Sequence, residues 1–250
     1  MTTNPNCTFT PRRLRLISGV FLAAATAVGL ARIAVAVAMD GTHGVEVRCE
    51  PILILLEEFD GVMPPALPTS WSSMTWATSN SGVPTPPAET PPNAVFVDDP
   101  DTVSDKQLLS PNIGFVADAG PPQLRFRNNF NLQDGFDGGV LEISFDDGLT
   151  FQDIVDAGGT FLGGGYNGTI SSCCGNPLAG RQAWTGTSSG FIDTTVNLPH
   201  QGAYIMRWRM GSDSSVSGEG WPIDNVAITQ CYTPRGGRGR PTPHPRPTPP

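Results

Sequence analysis

Residues 124–130, with the sequence LRFRNNF, and residues 140–145, with the sequence VLEISF, alternate apolar and polar side chains along most of their length. Successive side chains of a β-strand point to opposite faces, so this period of two is typical of strands with one face in a core and one in water. Residues 204–210, YIMRWRM, repeat the pattern with Arg207 and Arg209 opposite the large apolar side chains. We expect these arginines to pair with acidic side chains rather than with a ligand.

Outward from these stretches, the chain between Ile52 and Ile228 consists of short apolar runs separated by turn residues, with no run of helical period. Strands are expected near residues 52–59, 71–78, 93–97, 107–116, 122–131, 139–146, 151–156, 189–197, 202–210 and 221–229. The 29 Gly, 25 Pro and single Lys are also atypical of a helical protein. The sequence therefore predicts an all-β protein, an antiparallel β-sandwich of about ten strands.

Two irregular regions interrupt the predicted strands. Residues 79–92 hold five prolines and are expected to be a surface loop, and residues 158–190 are rich in glycine. Long loops at one end of a rigid sandwich commonly carry function. Tyr166 and Trp184 lie in the second region and are the predicted ligand-binding aromatics.

The two ends of the chain differ in composition from the middle. Residues 1–38 have the layout of a signal peptide, with a basic start, an apolar run and small residues before Ala38. The alternative is that this segment is not cleaved and anchors the protein in a membrane. If it is cleaved, we expect no stable membrane span in the remaining chain. Residues 39–233 are the predicted β-sandwich domain, and the Pro/Arg-rich residues 234–250 are a predicted disordered tail, serving as a spacer, an envelope anchor or a plain end. We therefore expect a secreted or cell-surface protein.

The charge of the predicted domain excludes one class of partner. Residues 39–233 contain all 23 acidic residues of the chain and fewer than half of its 15 Lys and Arg. A body this acidic repels phosphate backbones, so nucleic acid is not an expected partner.

The cysteines of an exported chain indicate disulfides. Four cysteines remain after signal cleavage, and they can pair as disulfides in three ways. Metal ligation is the weaker alternative, because the spacing of these cysteines suits no zinc site. Cys49 and Cys231 lie just outside the first and last predicted strands, so a disulfide between them is the preferred pairing. Cys173 and Cys174 are then either free or joined to each other.

Two short motifs could each be read as a structural feature or as part of a catalytic site. Residues 144–151 match the Asp-box, Ser-x-Asp-x-Gly-x-Thr-Trp, with Phe151 in place of Trp, which predicts a tight hairpin rather than a catalytic site. Residues 186–190 fit Gly-x-Ser-x-Gly, and Asp193 and His200 follow in hydrolase order. A strand pattern follows the serine instead of a helix, so this match is interpreted as chance.

The carboxylates near the ends of the domain suggest a cation. Asp60 ends the first predicted strand and Asp224 lies in the last, so neighbouring strands would bring them together on one Ca²⁺, which prefers oxygen ligands. Asp98 and Asp101, in an acidic loop, either complete that site or form another. Solvated surface acids are the alternative for all four.

Several motifs in order resemble a known kind of domain. Residues 57–62 (EEFDGV), 109–111 (LSP), 136–144 (FDGGVLEIS), 207–213 (RWRMGSD) and 218–226 (GEGWPIDNV) look like those of MAM-like or cleaved-adhesin-like β-sandwich domains of secreted bacterial proteins. Such domains accompany immune-inhibitor-A-type peptidases. The resemblance implies a jelly-roll sandwich with structural calcium at Asp60 and Asp224. This chain departs from the pattern at Asn225, where a second Asp is common, and it lacks the peptidase itself.

The expected function is therefore that of a module and not of an enzyme. We predict an exported, calcium-stabilised, non-catalytic β-sandwich for binding or adhesion to an extracellular glycan, a protein or the cell envelope. The alternatives are a secreted hydrolase, a peptidase-associated accessory domain and a purely structural surface module.

Overall fold

The structure of the protein is a computed structural model, which describes residues 49–79, 87–116, 118–199 and 202–232. All of these belong to one compact unit. The predicted signal peptide and the predicted tail lie outside the described residues. Within the described ranges, the structure contains no helix long and apolar enough to cross a membrane.

The described residues form thirteen strands and no helix. In chain order the strands are β1 (Glu50–Glu57), β2 (Ala77–Thr78), β3 (Val95–Val97), β4 (Ser104–Leu109), β5 (Gln123–Asn128), β6 (Gly138–Ser144), β7 (Gln152–Asp153), β8 (Thr160–Gly163), β9 (Gly168–Thr169), β10 (Gln182–Ala183), β11 (Ile192–Asn197), β12 (Ile205–Ser212) and β13 (Trp221–Tyr232). A seven-stranded sheet has the order β2-β3-β13-β5-β11-β8, with β1 also paired to β13, and a four-stranded sheet has the order β4-β12-β6-β7. The predicted antiparallel β-sandwich is confirmed.

The alternating residues build the core between the two sheets. Met206, Trp208 and Met210 of β12 are fully buried, as the period of two requires of one face. The Trp208 ring meets the ring of Phe126, from β5 of the seven-stranded sheet, edge to face at 5.7 Å. Aromatic pairs in this arrangement contribute beyond their buried area, so these rings join the two sheets.

The first and last strands are neighbours, as the sequence predicts. β1 runs antiparallel to β13, with Glu50 opposite Tyr232 and Glu57 opposite Val226. A disulfide joins Cys49 to Cys231, one residue before β1 and near the end of β13. The ends of the domain are therefore held together by both a strand pair and a covalent bond.

The predicted extent of several elements is wrong. The strand expected over residues 71–78 shrinks to two residues, and residues 158–190, expected to be a loop, contain β8, β9 and β10. These three strands have two to four residues each and include Gly163 and Gly168, so they carry no visible alternation. Around the β9–β10 pair, Ile170 packs with buried side chains that include Val140 of β6.

Candidate functional site

The outer face of the four-stranded sheet carries an ordered row of polar side chains. Arg207 lies opposite Glu142 of β6, and Glu142 lies opposite Asp153 of β7. On the other side of β12, Arg209 lies opposite Gln107 of β4. Because side chains directly opposite in a sheet share a face, the backbone register alone places this row on the side away from Trp208.

Glu142 is the centre of this row. Its side chain is 4% exposed and accepts hydrogen bonds from Arg181 and Arg207, while Arg209 Nη1 lies 3.6 Å from Oε1. Arg181 Nη2 also donates to Asp153 Oδ2 at 2.8 Å. A buried carboxylate is tolerated only with such partners, so the network fixes the positions of all three guanidinium groups.

Further contacts extend the network across β4. Arg209 donates to both carboxylate oxygens of Asp105, at 2.8 and 2.7 Å, and these hydrogen bonds lower the pKa of Asp105. Arg207 Nη1 donates to Gln107 Oε1 at 3.0 Å, and its guanidinium lies 3.9 Å over the ring of Phe151. The expectation that Arg207 and Arg209 pair with acids is confirmed.

Three hollows follow this face from one side of the sheet to the other. The central one, about 580 Å³, is bounded by Glu142, Asp153, Arg181 and both β12 arginines, and a second, about 540 Å³, shares its Asp153 and Arg181 sides. The third, about 520 Å³, lies on β4 and is lined by residues that include Asp105 and Gln107. These β4 residues bond to Arg207 and Arg209 at the boundary of the central hollow, and the three hollows are together called the sheet-face groove below.

The two aromatics predicted to bind a ligand have different environments. Tyr166 is half-buried and lines the second hollow. Its hydroxyl accepts a hydrogen bond from Leu141 N at 2.9 Å and lies 3.1 Å from Asp153 Oδ2. Trp184 is 0% exposed and donates from Nε1 to Gly164 O, so it is a core residue and does not reach the surface. Four aromatic rings contact the Trp184 ring, and this packing, which leaves no part of it at the surface, differs from the surface position expected for it.

The Asp-box forms the hairpin that leads into Phe151. Asp146 Oδ1 accepts hydrogen bonds from Thr150 N at 2.9 Å and from Ser144 Oγ at 2.7 Å, and Gly148 has a φ of 86°. Positive φ is easily adopted by glycine, as the motif requires. The hairpin interpretation is confirmed, and its role is to place Phe151 beneath Arg207.

The Asp-box carboxylate gives a prediction for acid conditions. Hydrogen bonds from Thr150 and Ser144 lower the pKa of Asp146 from its usual 3.8 to about 2. A lowered pKa in the folded state stabilises the protein above the usual pKa, and this contribution disappears as pH falls through the folded value. We expect the urea midpoint of the native chain to exceed that of Asp146→Asn at pH 6, with the gap closing between pH 4 and pH 2. A gap independent of pH over this range would contradict the assignment.

Of the four predicted calcium ligands, Asp60 and Asp224 hold the same segment of the chain. Asp224 Oδ2 accepts the backbone N–H groups of Glu89 and Thr90, both at 2.9 Å, and Asp60 Oδ1 accepts that of Asn93 at 2.9 Å. Burial raises the pKa of Asp224, the N–H donors partly offset this, and repulsion from Asp60 adds to it. Asp60 and Asp224 therefore lie near each other, but the oxygens named above already serve to anchor the segment over residues 89–93.

The acidic loop does not join that pair. Asp98 forms an ion pair with Lys106 at 2.6 Å, and Asp101 is exposed. Among the described residues, no three His, Cys, Asp or Glu side chains are grouped to hold a metal ion. The neighbouring Asp99, which sequence reasoning did not select, is buried instead.

The Gly-x-Ser-x-Gly serine is part of the packing of its loop. Ser188 Oγ lies 2.9 Å from Asn129 Oδ1 and accepts a hydrogen bond from Phe130 N at 2.9 Å. Asp193, on β11, pairs with Arg127 at 2.9 Å, and His200 lies outside the described residues. Elsewhere in the same Gly-rich part of the chain, Cys173 and Cys174 are joined to each other.

Comparisons with known proteins give distant likenesses only. No protein-family model matches the chain, and no curated protein matches it. Among solved structures, the K2 cleaved adhesin domain of Lys-gingipain has 17% identity and a TM-score of 0.41, over 70% of this chain and 96% of that one. The K3 cleaved adhesin domain of Lys-gingipain from Porphyromonas gingivalis W83 has 16% identity and a TM-score of 0.41, over 72% and 99%. The mannan-recognising carbohydrate-binding module TmCBM27 has 10% identity and a TM-score of 0.36, over 72% and 98%.

Proposed function

We propose that this protein is an exported, non-catalytic binding module that holds a carbohydrate chain in the sheet-face groove. The observation that carries the proposal is the row of three hollows along one sheet face, each lined by side chains whose polar ends are fixed by other protein groups. Hollows of several hundred Å³ with a few well-placed polar groups are typical of small-ligand sites. Three of them in succession suit an extended ligand made of repeating units.

The charge of the groove favours a neutral polar ligand. Its three arginines face carboxylates of similar number, including Glu142, Asp153 and Asp105. An anionic ligand would have to displace these partners, whereas sugar hydroxyl groups can donate to the carboxylates and accept from the guanidinium groups. Because the side chains are already ordered, binding costs little further conformational entropy.

The aromatic side chains of the groove add apolar contact at one end. Phe161 and Tyr166 both line the second hollow, and their ring centroids are 4.9 Å apart. Aromatic rings provide rigid, amphipathic surface against which the apolar face of a sugar ring can pack. Tyr166 thus keeps the ligand-binding role proposed for it, now at the sheet face rather than at the end of a loop.

Export is supported by the covalent structure. Both cysteine pairs within the described residues are joined, Cys49 with Cys231 and Cys173 with Cys174. Disulfides persist in oxidising compartments and are rare in the cytosol. A secreted or cell-surface location therefore fits the chain.

The test is a glycan array probed with the purified chain, followed by calorimetry with the ligands found. We expect Arg207→Ala to weaken the binding of such a glycan about tenfold, which is about 1.4 kcal/mol, because arginine is enriched among the few residues whose truncation costs most of the binding free energy. The matched control is Arg125→Ala, because Arg125 lies on β5 of the other sheet and its side chain is 57% exposed. Binding to no glycan on the array, or equal affinity losses in both variants, would reject the proposal.

A further inference from the structure

The disulfide between Cys173 and Cys174 joins two neighbouring residues of one surface turn. Both cysteines are exposed, and so are the residues on either side of them, Ser172 and Gly175. None of these four residues lines a hollow of the sheet-face groove. The pair is therefore open to molecules in solution and separate from the proposed carbohydrate site.

The turn is attached to well-packed parts of the chain at both of its ends. On one side, Ser171 N donates to Gly135 O at 2.8 Å. On the other side, the buried Asn176 amide donates to Phe136 O at 2.6 Å and to Gly211 O at 2.8 Å. Opening the bond between the two cysteines therefore leaves the fold around the turn in place.

The two disulfides of the described residues differ in what they contribute to folding. Cys49 and Cys231 are separated by 182 positions, and a disulfide stabilises a fold mainly by restricting the unfolded chain, more so for a longer loop. Cys173 and Cys174 are separated by 1 position, so their bond restricts the unfolded chain very little. Coupling is reciprocal, so a bond that stabilises the fold is itself stabilised by the fold. The fold therefore protects the Cys49–Cys231 bond from opening and gives the neighbouring pair little protection.

Two features of the turn favour opening of the Cys173–Cys174 bond. Cys174 has a φ of 73°, in the left-handed region that a residue with a Cβ adopts only at a cost, and opening the bond lets the backbone leave it. The Ser171 hydroxyl donates a hydrogen bond to Cys173 Sγ at 3.3 Å and accepts one from Cys173 N, also at 3.3 Å. Hydrogen bonds to an ionised partner are stronger than those to a neutral one, so Ser171 favours Cys173 as the sulfur that leaves as a thiolate.

We propose that the Cys173–Cys174 pair is a site of reversible covalent attachment for low-molecular-weight thiols. The thiolate of the incoming molecule attacks Cys174 Sγ and forms a new disulfide there, while the bond between the two cysteines breaks. The electron pair of the broken bond leaves with Cys173 Sγ, which becomes a thiolate beside the Ser171 hydroxyl. No oxidant or reductant is consumed, because one disulfide replaces another. Attack by Cys173 on the new bond reverses the step and releases the thiol.

The experiment is incubation of the folded native chain with reduced glutathione, then alkylation with iodoacetamide and peptide mass spectrometry. We expect glutathione on Cys174 and the alkyl group on Cys173, with the Cys49–Cys231 bond intact. Ser171→Ala should slow the exchange about tenfold, because it removes a hydrogen bond to the departing thiolate. The matched control is Ser172→Ala, which removes a hydroxyl from the same turn and should react at the native rate.

Several outcomes would overturn the assignment. One is the absence of any adduct at Cys173 and Cys174, and another is opening of the structural disulfide before the neighbouring pair. Adducts on Cys173, or equal rates in the two serine variants, would contradict the direction of attack. If Ser171→Ala does not fold, the position of the adduct in the native chain decides that direction.

A variant with both Cys173 and Cys174 replaced by serine tests the thermodynamic argument. Its melting temperature should stay near the native value, because the bond closes no long loop. A large fall would show that the bond is structural and would overturn the proposal. Because the turn lies outside the sheet-face groove, none of these results depends on whether a glycan binds there.

Discussion

Replacing Trp184 with alanine is expected to lower the free energy of unfolding by about 3–5 kcal/mol, the usual cost of removing a large aromatic side chain from a core. The Trp184 ring is 0% exposed and contacts four other rings, with centroids 4.9 Å from Tyr166, 5.6 Å from Trp221, 5.7 Å from Phe161 and 5.8 Å from Phe126. The cavity left by alanine would border both the core and the second hollow. Urea unfolding followed by far-UV circular dichroism measures the loss.

The matched variant is Trp184→Phe, which keeps an aromatic ring but removes the donor to Gly164 O. We expect a smaller loss than with alanine, because most of the ring contacts remain. The glycan affinity of a folded Trp184→Phe protein should be close to native, since the indole does not reach the groove. A Trp184→Ala protein within about 1 kcal/mol of the native stability would show that this side chain is not packed as described.

Replacing Glu142 with alanine is expected to destabilise the protein by about 3–5 kcal/mol, the range found when one partner of a buried ion network is removed. Glu142 is 3% exposed, and its carboxylate receives Arg181 and Arg207. Without it, two half-buried guanidinium groups lose a shared partner and the β6 side of the groove loses its order. We expect glycan binding to fall at the same time, measured by calorimetry below the melting temperature of the variant.

The control for this change is Asp105→Ala on the same sheet face. Asp105 pairs with Arg209 in good geometry, but its side chain is 35% exposed and water can replace it. An exposed pair contributes about 1 kcal/mol or less, so this variant should unfold near the native urea midpoint. Equal losses of stability in the two variants would contradict the central position given to Glu142.

The arrangement of the strands followed from local patterns to a large extent. The alternation of residues 124–130 and 204–210 predicted β5 and β12 and their inward faces, because a strand with one buried face has no other way to arrange its side chains. The strands over residues 160–163, 168–169 and 182–183 were not predicted, because they are too short for their side chains to show an alternation of apolar and polar residues. Among the described strands, β9 and β10 pair only with each other and β8 pairs with β11, and contacts of this kind are not visible in a local pattern.

The candidate site was predicted only in part. Arg207 and Arg209 were identified as outward-facing side chains, and pairing with acids was expected for them, but their partner Glu142 was not, because it lies far away in the chain. Trp184 was assigned to the surface since it lies in a glycine-rich segment, a setting that composition associates with loops. In the structure that segment folds back, and Trp184 lies opposite Gly139 of β6.

The amino-acid sequence by itself determined the β class, the inward and outward faces of the long strands, the Asp-box turn and the pairing of the two ends, because each depends on neighbouring residues or on one simple constraint. Only the tertiary structure decided which polar groups meet. Glu142 and its arginines come from segments separated along the chain, and the sheet register and the connections between strands bring them together. Burial then determines what such groups do, since a carboxylate in water needs no partner and a carboxylate in a core requires one.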